Sequence, residues 1–315
     1  MTETSRSATS AQLRNAAEPQ SGPHGAIVVD KPEGWTSHDI VNKVRRIART
    51  KKVGHLGTLD PIATGVLPLL LGRATRLAQF YTRGDKIYEA VSRFGWSTDT
   101  YDRAGKPASE QRKVVLDPAE IEPLLERFRG EFLQTPPPVS AKKVDGRRAY
   151  ELARKNVAVE LAAAPVHVYE LVLLGVEGAQ ASVRCHCSAG TYLRSIAHDL
   201  GQAMGCGAHL QELRRTASTE FGIEQARTIA QLEALAAGDR LVDAIIPPAG
   251  LLPNIPAVFV DDLAAAQIRN GRNFPASPFR SEAASRRVRA LTRHWDLVAV
   301  GEAVLPNLYH PVVVL

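Results

Sequence analysis

Positions 52–68 read Lys-Val-Gly-His-Leu-Gly-Thr-Leu-Asp-Pro-Ile-Ala-Thr-Gly-Val-Leu-Pro. Asp60 is the one acid in this segment, and Pro61 follows it. The proline fixes φ beside the carboxylate and removes a backbone donor there. Gly54, Gly57 and Gly65 let the backbone bend and come close to a ligand. A carboxylate held in such a loop can serve as nucleophile or general base. The competing reading is a structural turn in which Asp60 makes an Asx-type hydrogen bond. His55, taken alone, is a loop histidine bonded to backbone. Six basic residues, Lys43, Arg45, Arg46, Arg49, Lys51 and Lys52, lead into the segment, and no acid interrupts 42–59.

Two further basic groups lie downstream. Lys142, Lys143, Arg147 and Arg148 form one; Arg269, Arg272, Arg280, Arg286, Arg287, Arg289 and Arg293 form the other, with Glu282 the one acid among them. A charge run is usually a solvated face. Three of them on a chain of net charge +6 lean toward a polyanion whose phosphates they position without reading sequence. Cys185-His186-Cys187 with Cys206 and His209 lacks the C-x₂-C spacing of a zinc site. In a strand Cys185 and Cys187 share one face and His186 the other, so no metal is expected. Nothing near Cys206 marks it as activated.

The elements that must position these groups follow from punctuation and periodicity. At 315 residues and 44% hydrophobic content, the chain has length for about two domains and a full core. It is too apolar to be mostly disordered. Three cysteines suit a reducing compartment. No apolar run approaches the ~20 residues of a membrane helix. Residues 1–24 lack a signal-peptide apolar core, and Glu3 and Glu18 offset Arg6 and Arg14. They read as a disordered tail on a cytoplasmic protein. A strand begins at Gly25. Thr36 with Asp39 is a capping-box pattern opening a helix. A loop at 54–72 leads into an apolar segment, 73–80 is helical, and 86–94 is a strand. A polar linker covers 98–111, and a helix covers 118–129. Pro136-Pro137-Pro138 forbids regular structure. A short helix is expected at 149–155, strands at 166–176 and 181–187, and helices at 191–204 and 229–237. Pro247-Pro248 and Pro253 to Pro256 mark a boundary, followed by a short helix at 261–270 and strands at 296–304 and 310–315.

Gly54-His55-Leu56-Gly57-Thr58-Leu59-Asp60-Pro61-Ile62-Ala63-Thr64-Gly65 resembles the catalytic-loop signature of the TruB-type pseudouridine synthases, with Leu56 and Leu59 as variants within it. Other motifs agree in order. Asp30-Lys31-Pro32-Glu33-Gly34-Trp35-Thr36-Ser37 resembles the family's opening motif, and Asp85-Lys86-Ile87-Tyr88 its tyrosine-bearing strand. Ser140-Ala141-Lys142-Lys143 with Gly146-Arg147-Arg148-Ala149-Tyr150 resembles its middle motif. Val139 stands where an aromatic is more frequent. Cys187-Ser188-Ala189-Gly190-Thr191-Tyr192-Leu193-Arg194 and Gly205-Cys206-Gly207-Ala208-His209-Leu210 through Leu213-Arg214-Arg215 resemble the last two. The match spans about 27–242 and is looser beyond.

The resemblance implies an α+β pseudouridine synthase fold, with a mixed, largely antiparallel sheet flanked by helices and a small β-rich PUA-like C-terminal domain. It divides the chain into a tail at 1–24, a catalytic domain at 25–250 and an RNA-binding domain at 251–315. The implied activity is isomerisation of uridine 55 in the tRNA T-loop, on a flipped-out base. Asp60 would be the nucleophile, attacking ribose C1′ or uracil C6, or helping form a glycal. His55 would fill the vacated space or touch the displaced stack. Tyr88 would stack on the uracil near the C5 proton, and Leu213 would pack against it. Tyr192 would hold Asp60 or the base edge. Arg194 would pair with Asp60, orienting it and lowering its pKa. Lys31 would contact phosphate or support the loop. No cofactor, metal or protein partner is implied, and a monomer is expected. Two rivals stand beside this reading. One is a non-catalytic RNA-binding or RNA-folding protein, which needs no carboxylate facing a polyanion. The other is a nucleoside or glycoside hydrolase, which commonly needs a second acid or a metal.

Overall fold

Gly25 opens β1 (Gly25–Lys31) in the computed structural model of the chain, which describes residues 22–139, 143–144, 147–148, 161–276 and 285–315. Most of the expected tail therefore lies outside the described residues. Its last residue, His24, accepts a hydrogen bond from Arg73 N at 3.2 Å. Helix α1 (Ser37–Ile47) starts as its sequence directs: the Thr36 side chain accepts from Asp39 N, and the Asp39 side chain accepts from Thr36 N. Such a cap is worth about 1 kcal/mol. Ile40, Val41 and Val44, 0–3% exposed, contribute about 2 kcal/mol each by burial. Packing, more than the cap, holds α1 in place.

The segment read as a loop at 54–72 carries two strands, β2 (Val53–His55) and β3 (Ala63–Leu71). The helix expected at 73–80 is a 3-10 helix over Gly72–Tyr81. Strand β4 (Lys86–Phe94) has the expected bounds. Helix α2 (Pro118–Leu125) passes into a 3-10 turn, Glu126–Phe128, before β5 (Gly130–Gln134). A two-residue pair, β6 (Lys143–Val144) and β7 (Arg147–Arg148), falls in the expected middle motif. The rest of that motif and the helix expected at 149–155 lie outside the described residues. Then come β8 (Ala164–Glu177), β9 (Gln180–Cys187), α3 (Leu193–Ala203), β10 (Ala208–Ser218), β11 (Phe221–Gly222) and α4 (Ile229–Ala237). The chain closes with β12 (Ala257–Val260), α5 (Asp262–Arg269), β13 (Phe274–Pro275), β14 (Arg287–Thr292), β15 (Leu297–Leu305) and β16 (Leu308–Val314).

The larger sheet has the order β1-β3-β10-β4-β9-β8-β5, with β2 on β3 and β11 on β10. Among the described residues only β3 and β10 run parallel as strands within it, so the sheet is mixed and largely antiparallel, and the protein is α+β. The apolar side chains of α1 to α4 pack on one face, joining Leu67, Tyr88, Leu213 and Val183 in the main core. The other face is covered at β1 and β3 by the 3-10 helix and by residues of the second sheet, among them Leu291, Leu297 and Val300. The second sheet has the order β12-β14-β15-β16-β13. Arg289 rivets it down, donating to Ile255 O, Ala249 O and Leu251 O at 2.7–2.9 Å. Tyr81 OH donates to Glu220 at 2.6 Å, and Leu252 N donates to the same carboxylate at 3.2 Å. Among the described residues no helix is long and apolar enough to cross a membrane.

Strand β10 is central to the sheet, yet its sequence carries no strand pattern. Its ladder with β4 slips between Leu210 and Glu212 and again between Arg215 and Ala217. Bulges of this kind break the period-two pattern that marks a strand. The parallel approach of β3 to β10 also explains a glycine. Gly65 has φ +97, and a Cβ there would lie 2.2 Å from Arg215 O. Gly54, in contrast, has nothing within 4 Å of such a Cβ. Gly65→Ala should therefore destabilise the protein by more than about 2 kcal/mol, and Gly54→Ala by under about 1 kcal/mol. Urea denaturation of both variants checks this, and equal losses would contradict it.

Candidate active site

The catalytic-loop candidate is pinned on both sides of Asp60. Before it, Ser37 at the start of α1 accepts from Leu59 N at 2.8 Å and donates to Leu59 O at 3.2 Å. After it, Pro61 O accepts from Gly34 N at 2.8 Å and from Lys31 Nζ at 3.4 Å. Ala63 N donates to Asp60 O at 3.0 Å, closing the turn. Leu56 and Leu59 are buried at 8% and 3%, which anchors the loop in the core.

Asp60 Oδ2 lies 2.9 Å from Arg194 Nε, with the Asp60 side chain 36% exposed and that of Arg194 5%. Arg194 is the second residue of α3, at the positive end of the helix dipole. Its Nη1 donates to Thr100 O at 3.1 Å, and its Nη2 donates to Val139 O at 2.9 Å. Asp102 Oδ2 stands 3.6 Å from Nη1. The guanidinium is thus fixed in the protein by two carbonyls and a buried carboxylate, and it offers its remaining edge to the accessible one. A buried charge met in this way persists where an unmet one would cost several kcal/mol.

Asp102 was missed in the sequence because 98–111 reads as a polar linker. It is 6% exposed. Its Oδ1 accepts from Thr100 Oγ1 at 2.8 Å and Ala104 N at 3.0 Å. The threonine and aspartate two residues apart, near Gly105, are a turn signal, but nothing local pairs Asp102 with Arg194. Arg103, next in the chain, pairs with Glu33 of the opening motif. That contact ties this segment to the loop's other support.

Tyr88 on β4 faces the same core as Leu213 on β10, two residues along from Arg215, its cross-strand partner. Burial raises the Tyr88 phenol pKa, Arg215 opposes the rise, and Asp60 adds to it. Leu213 pairs with Ala63, three residues after Asp60. Tyr192 caps α3, beside Arg194; its backbone N donates to Gln134 Oε1 at 2.8 Å, and its carbonyl accepts from Gln134 Nε2 at 3.1 Å. His55 ends β2 at the start of the loop, where burial lowers its pKa and Arg215 and His38 lower it further. A neutral imidazole is the result near pH 7.

Lys31 supports the loop and does not reach out to phosphate. It is 0% exposed, and Nζ donates to Trp35 O at 2.7 Å, Pro32 O at 2.9 Å and Pro61 O. Its neighbour Asp30 points to the opposite face, where Arg214 binds it at 2.9 Å, as strand alternation requires. The arginines of the basic tail divide by partner, and Arg280 lies outside the described residues. Arg286 and Arg287 face Glu302, Arg293 faces Asp262, and Arg289 is spent on carbonyls. Arg269 and Arg272 remain exposed. Cys185 and Cys187 lie in the core, while His186 binds Asp85 on the other face.

The description "TruB family pseudouridylate synthase (N terminal domain)" matches residues 45–193, and "tRNA pseudouridylate synthase B C-terminal domain" matches 194–251. A tRNA pseudouridine synthase B from Solibacter usitatus is 72% identical over 291 residues, 92% of this chain and 99% of that one. One from Aromatoleum aromaticum is 44% identical over 248 residues, 79% of this chain and 80% of that one. Among solved structures, an H/ACA RNP bound to a substrate RNA containing 2'-deoxyuridine aligns with TM-score 0.69 at 26% identity. That alignment covers 96% of this chain and 91% of that one.

Burial pushes Lys31 down from its ordinary 10.5 to about 8, with Asp60 and Glu33 opposing. The folded protein therefore releases this proton near pH 8, whereas the unfolded chain holds it to about 10.5. This contribution favours folding increasingly as pH rises from about 8 toward 10.5, and it is lost as pH falls through about 8. Lys31→Met cannot titrate. The stability of wild type relative to this variant should rise by about 1–2 kcal/mol between about pH 7.5 and 9.5, read by denaturant unfolding at each pH. A pH-independent difference would contradict it.

Proposed function

The chain belongs to the TruB family of pseudouridylate synthases, which are isomerases, and from that premise we propose that it converts uridine 55 of the tRNA T-loop to pseudouridine. The reaction breaks the N1–C1′ bond, turns the uracil and rejoins it through C5. Product and substrate have the same atoms, so the conversion consumes no oxidant, reductant or water. In this reading Asp60 is the nucleophile. The observation that carries it is the Asp60–Arg194 pair at 2.9 Å, with the carboxylate reachable and the arginine buried. A side chain so restrained is pre-positioned for attack, which removes part of the entropic barrier.

The target base is extruded from the T-loop at a cost of a few kcal/mol. His55, neutral and at the loop's start, takes the vacated position. Tyr88 and Leu213 bracket the uracil from one sheet face, with Tyr88 near C5. Tyr192 holds the base edge beside Arg194. Exposed Lys51 and Lys52 after α1 contact phosphate and make binding salt-dependent. We read 25–250 as the catalytic domain. The sheet at 251–315 is a PUA-like module that takes up RNA with Arg269 and Arg272, and the protein works on tRNA in the cytoplasm as a monomer.

The hydrolase rival needs a second working carboxylate. Asp102 sits on the same arginine, but it is buried and engaged by Thr100 and Ala104, so it has no open path to a leaving group.

Pseudouridine mapping on one unmodified tRNA transcript tests the proposal. Wild type should place a single pseudouridine in the T-loop, and Asp60→Asn should place none while still binding. A folded, RNA-binding wild type that gives no pseudouridine on several tRNAs would turn the reading to a binding protein. Released free uracil would turn it to a hydrolase.

A further inference from the structure

Among the described residues Arg215 is the largest side chain that is completely buried, at 0% exposure. A guanidinium is not buried without partners at small cost, and the roles assigned above leave it unused. Its Nε donates to Val66 O at 2.7 Å, and its Nη2 donates to Gly57 O at 3.2 Å. These carbonyls stand on opposite sides of Asp60 in the chain, so one side chain clasps both arms of the catalytic loop. The two loop glycines with positive φ both lie against it. Gly57 has φ +110, with a Cβ position 3.5 Å from Arg215 Nη1, and Gly65 has φ +97 against the Arg215 carbonyl. The sequence suggested that these glycines bring backbone close to a ligand; they bring it close to Arg215. The third nitrogen, Nη1, is buried and makes no hydrogen bond of ordinary geometry among the described residues, while the guanidinium as a whole interacts with the Tyr88 side chain. Directly across the ladder from Arg215 is Tyr88.

We propose that Arg215 is a positioning residue of the isomerisation, the brace that ties the catalytic loop to Tyr88 and sets the place of the Tyr88 hydroxyl against the bound uracil. The proposal rests on the reading of this pocket as the uridine site. Arg215 does not touch substrate; it acts through Gly57, Val66 and Tyr88. The charged or titratable groups around Tyr88 are Asp60 from the loop, Arg215 from β10, and Cys187 and the directly opposite Cys185 from β9. Lys86, on the same strand, also lies within the field of Arg215 and Cys187. Arg215 is the cation that pulls against the burial of the phenol, which agrees with the geometry.

The test is a double-mutant cycle on single-turnover pseudouridine formation. Arg215→Met and Arg215→Lys are each made with Tyr88 and with Tyr88→Phe, and RNA affinity and melting temperature are measured for every protein. With Tyr88 present, Arg215→Met should slow the reaction about 10- to 100-fold, the effect expected of a hydrogen bond to a charged group. In the Tyr88→Phe background it should slow it less than about threefold. Affinity for RNA should stay within about threefold, and Arg215→Lys should recover part of the rate. The pH at which the ¹³Cζ resonance of Tyr88 titrates, assigned with Tyr88→Phe, should rise in Arg215→Met. Equal losses in both backgrounds, or an unmoved Tyr88 titration, would reduce Arg215 to a structural residue and overturn the proposal. If Arg215→Met does not fold, Arg215→Lys carries the same cycle, because it keeps the charge and loses the fork. Wild-type product formation stands apart from either result and tests the underlying reading.

Discussion

A guanidinium has five donors in a fixed plane, and at Arg194 that plane is set by the protein before any substrate arrives. Thr100 O, Val139 O and Asp102 hold one edge. Nε faces the loop, and Asp60 binds it. A lysine could neutralise the carboxylate, but it could not fix its direction, because an ammonium is a point charge on a flexible stem. The rest of the site depends on this constraint. The loop must bring Asp60 to Arg194, and the sheet must bring Tyr88 and Leu213 to Asp60.

The loop is delivered by backbone bonds on both flanks. Ser37 grips Leu59, and Lys31 and Gly34 grip Pro61, so α1 and β1 place Asp60 between them. The parallel pairing of β3 with β10 puts Leu213 and Arg215 beside the strand that the loop feeds. Antiparallel pairing of β10 with β4 then puts Tyr88 on the same face. Opposite strand faces divide the labour. Lys31, Leu213 and Arg215 lie on the face that carries the candidate site, while Arg214 binds Asp30 on the other face. The second sheet is fixed to the first by Arg289 and the Tyr81–Glu220 pair, so its position relative to the site is a property of the fold.

Local signals in the sequence were reliable where the structure is local. The Thr36–Asp39 box, β4 and α4 follow from residues a few positions apart. The shaped loop around Asp60 was visible through Pro61 and the glycines. Contacts between distant segments were not legible. Asp102 reaches Arg194 across 92 positions, and no spacing rule joins them. Strand β10 hid behind two bulges. Within 269–293 only Glu282 opposes the arginines of the tail, because Asp262 and Glu302 lie outside that stretch. Gly57 and Gly65 were read toward a ligand because the sequence does not show that Arg215 lies beneath them. In each case the chemistry was present in the residue types, and tertiary geometry decided its use.

The central claim is that Arg194 works by orienting Asp60, and single-turnover kinetics of Arg194→Lys at saturating T-arm RNA test it most directly. The account predicts a rate at least about 100-fold below wild type. RNA affinity should stay within about threefold, and the protein should remain folded. A rate within about threefold of wild type would contradict it, because charge alone would then suffice and the fixed plane of the guanidinium would be unnecessary.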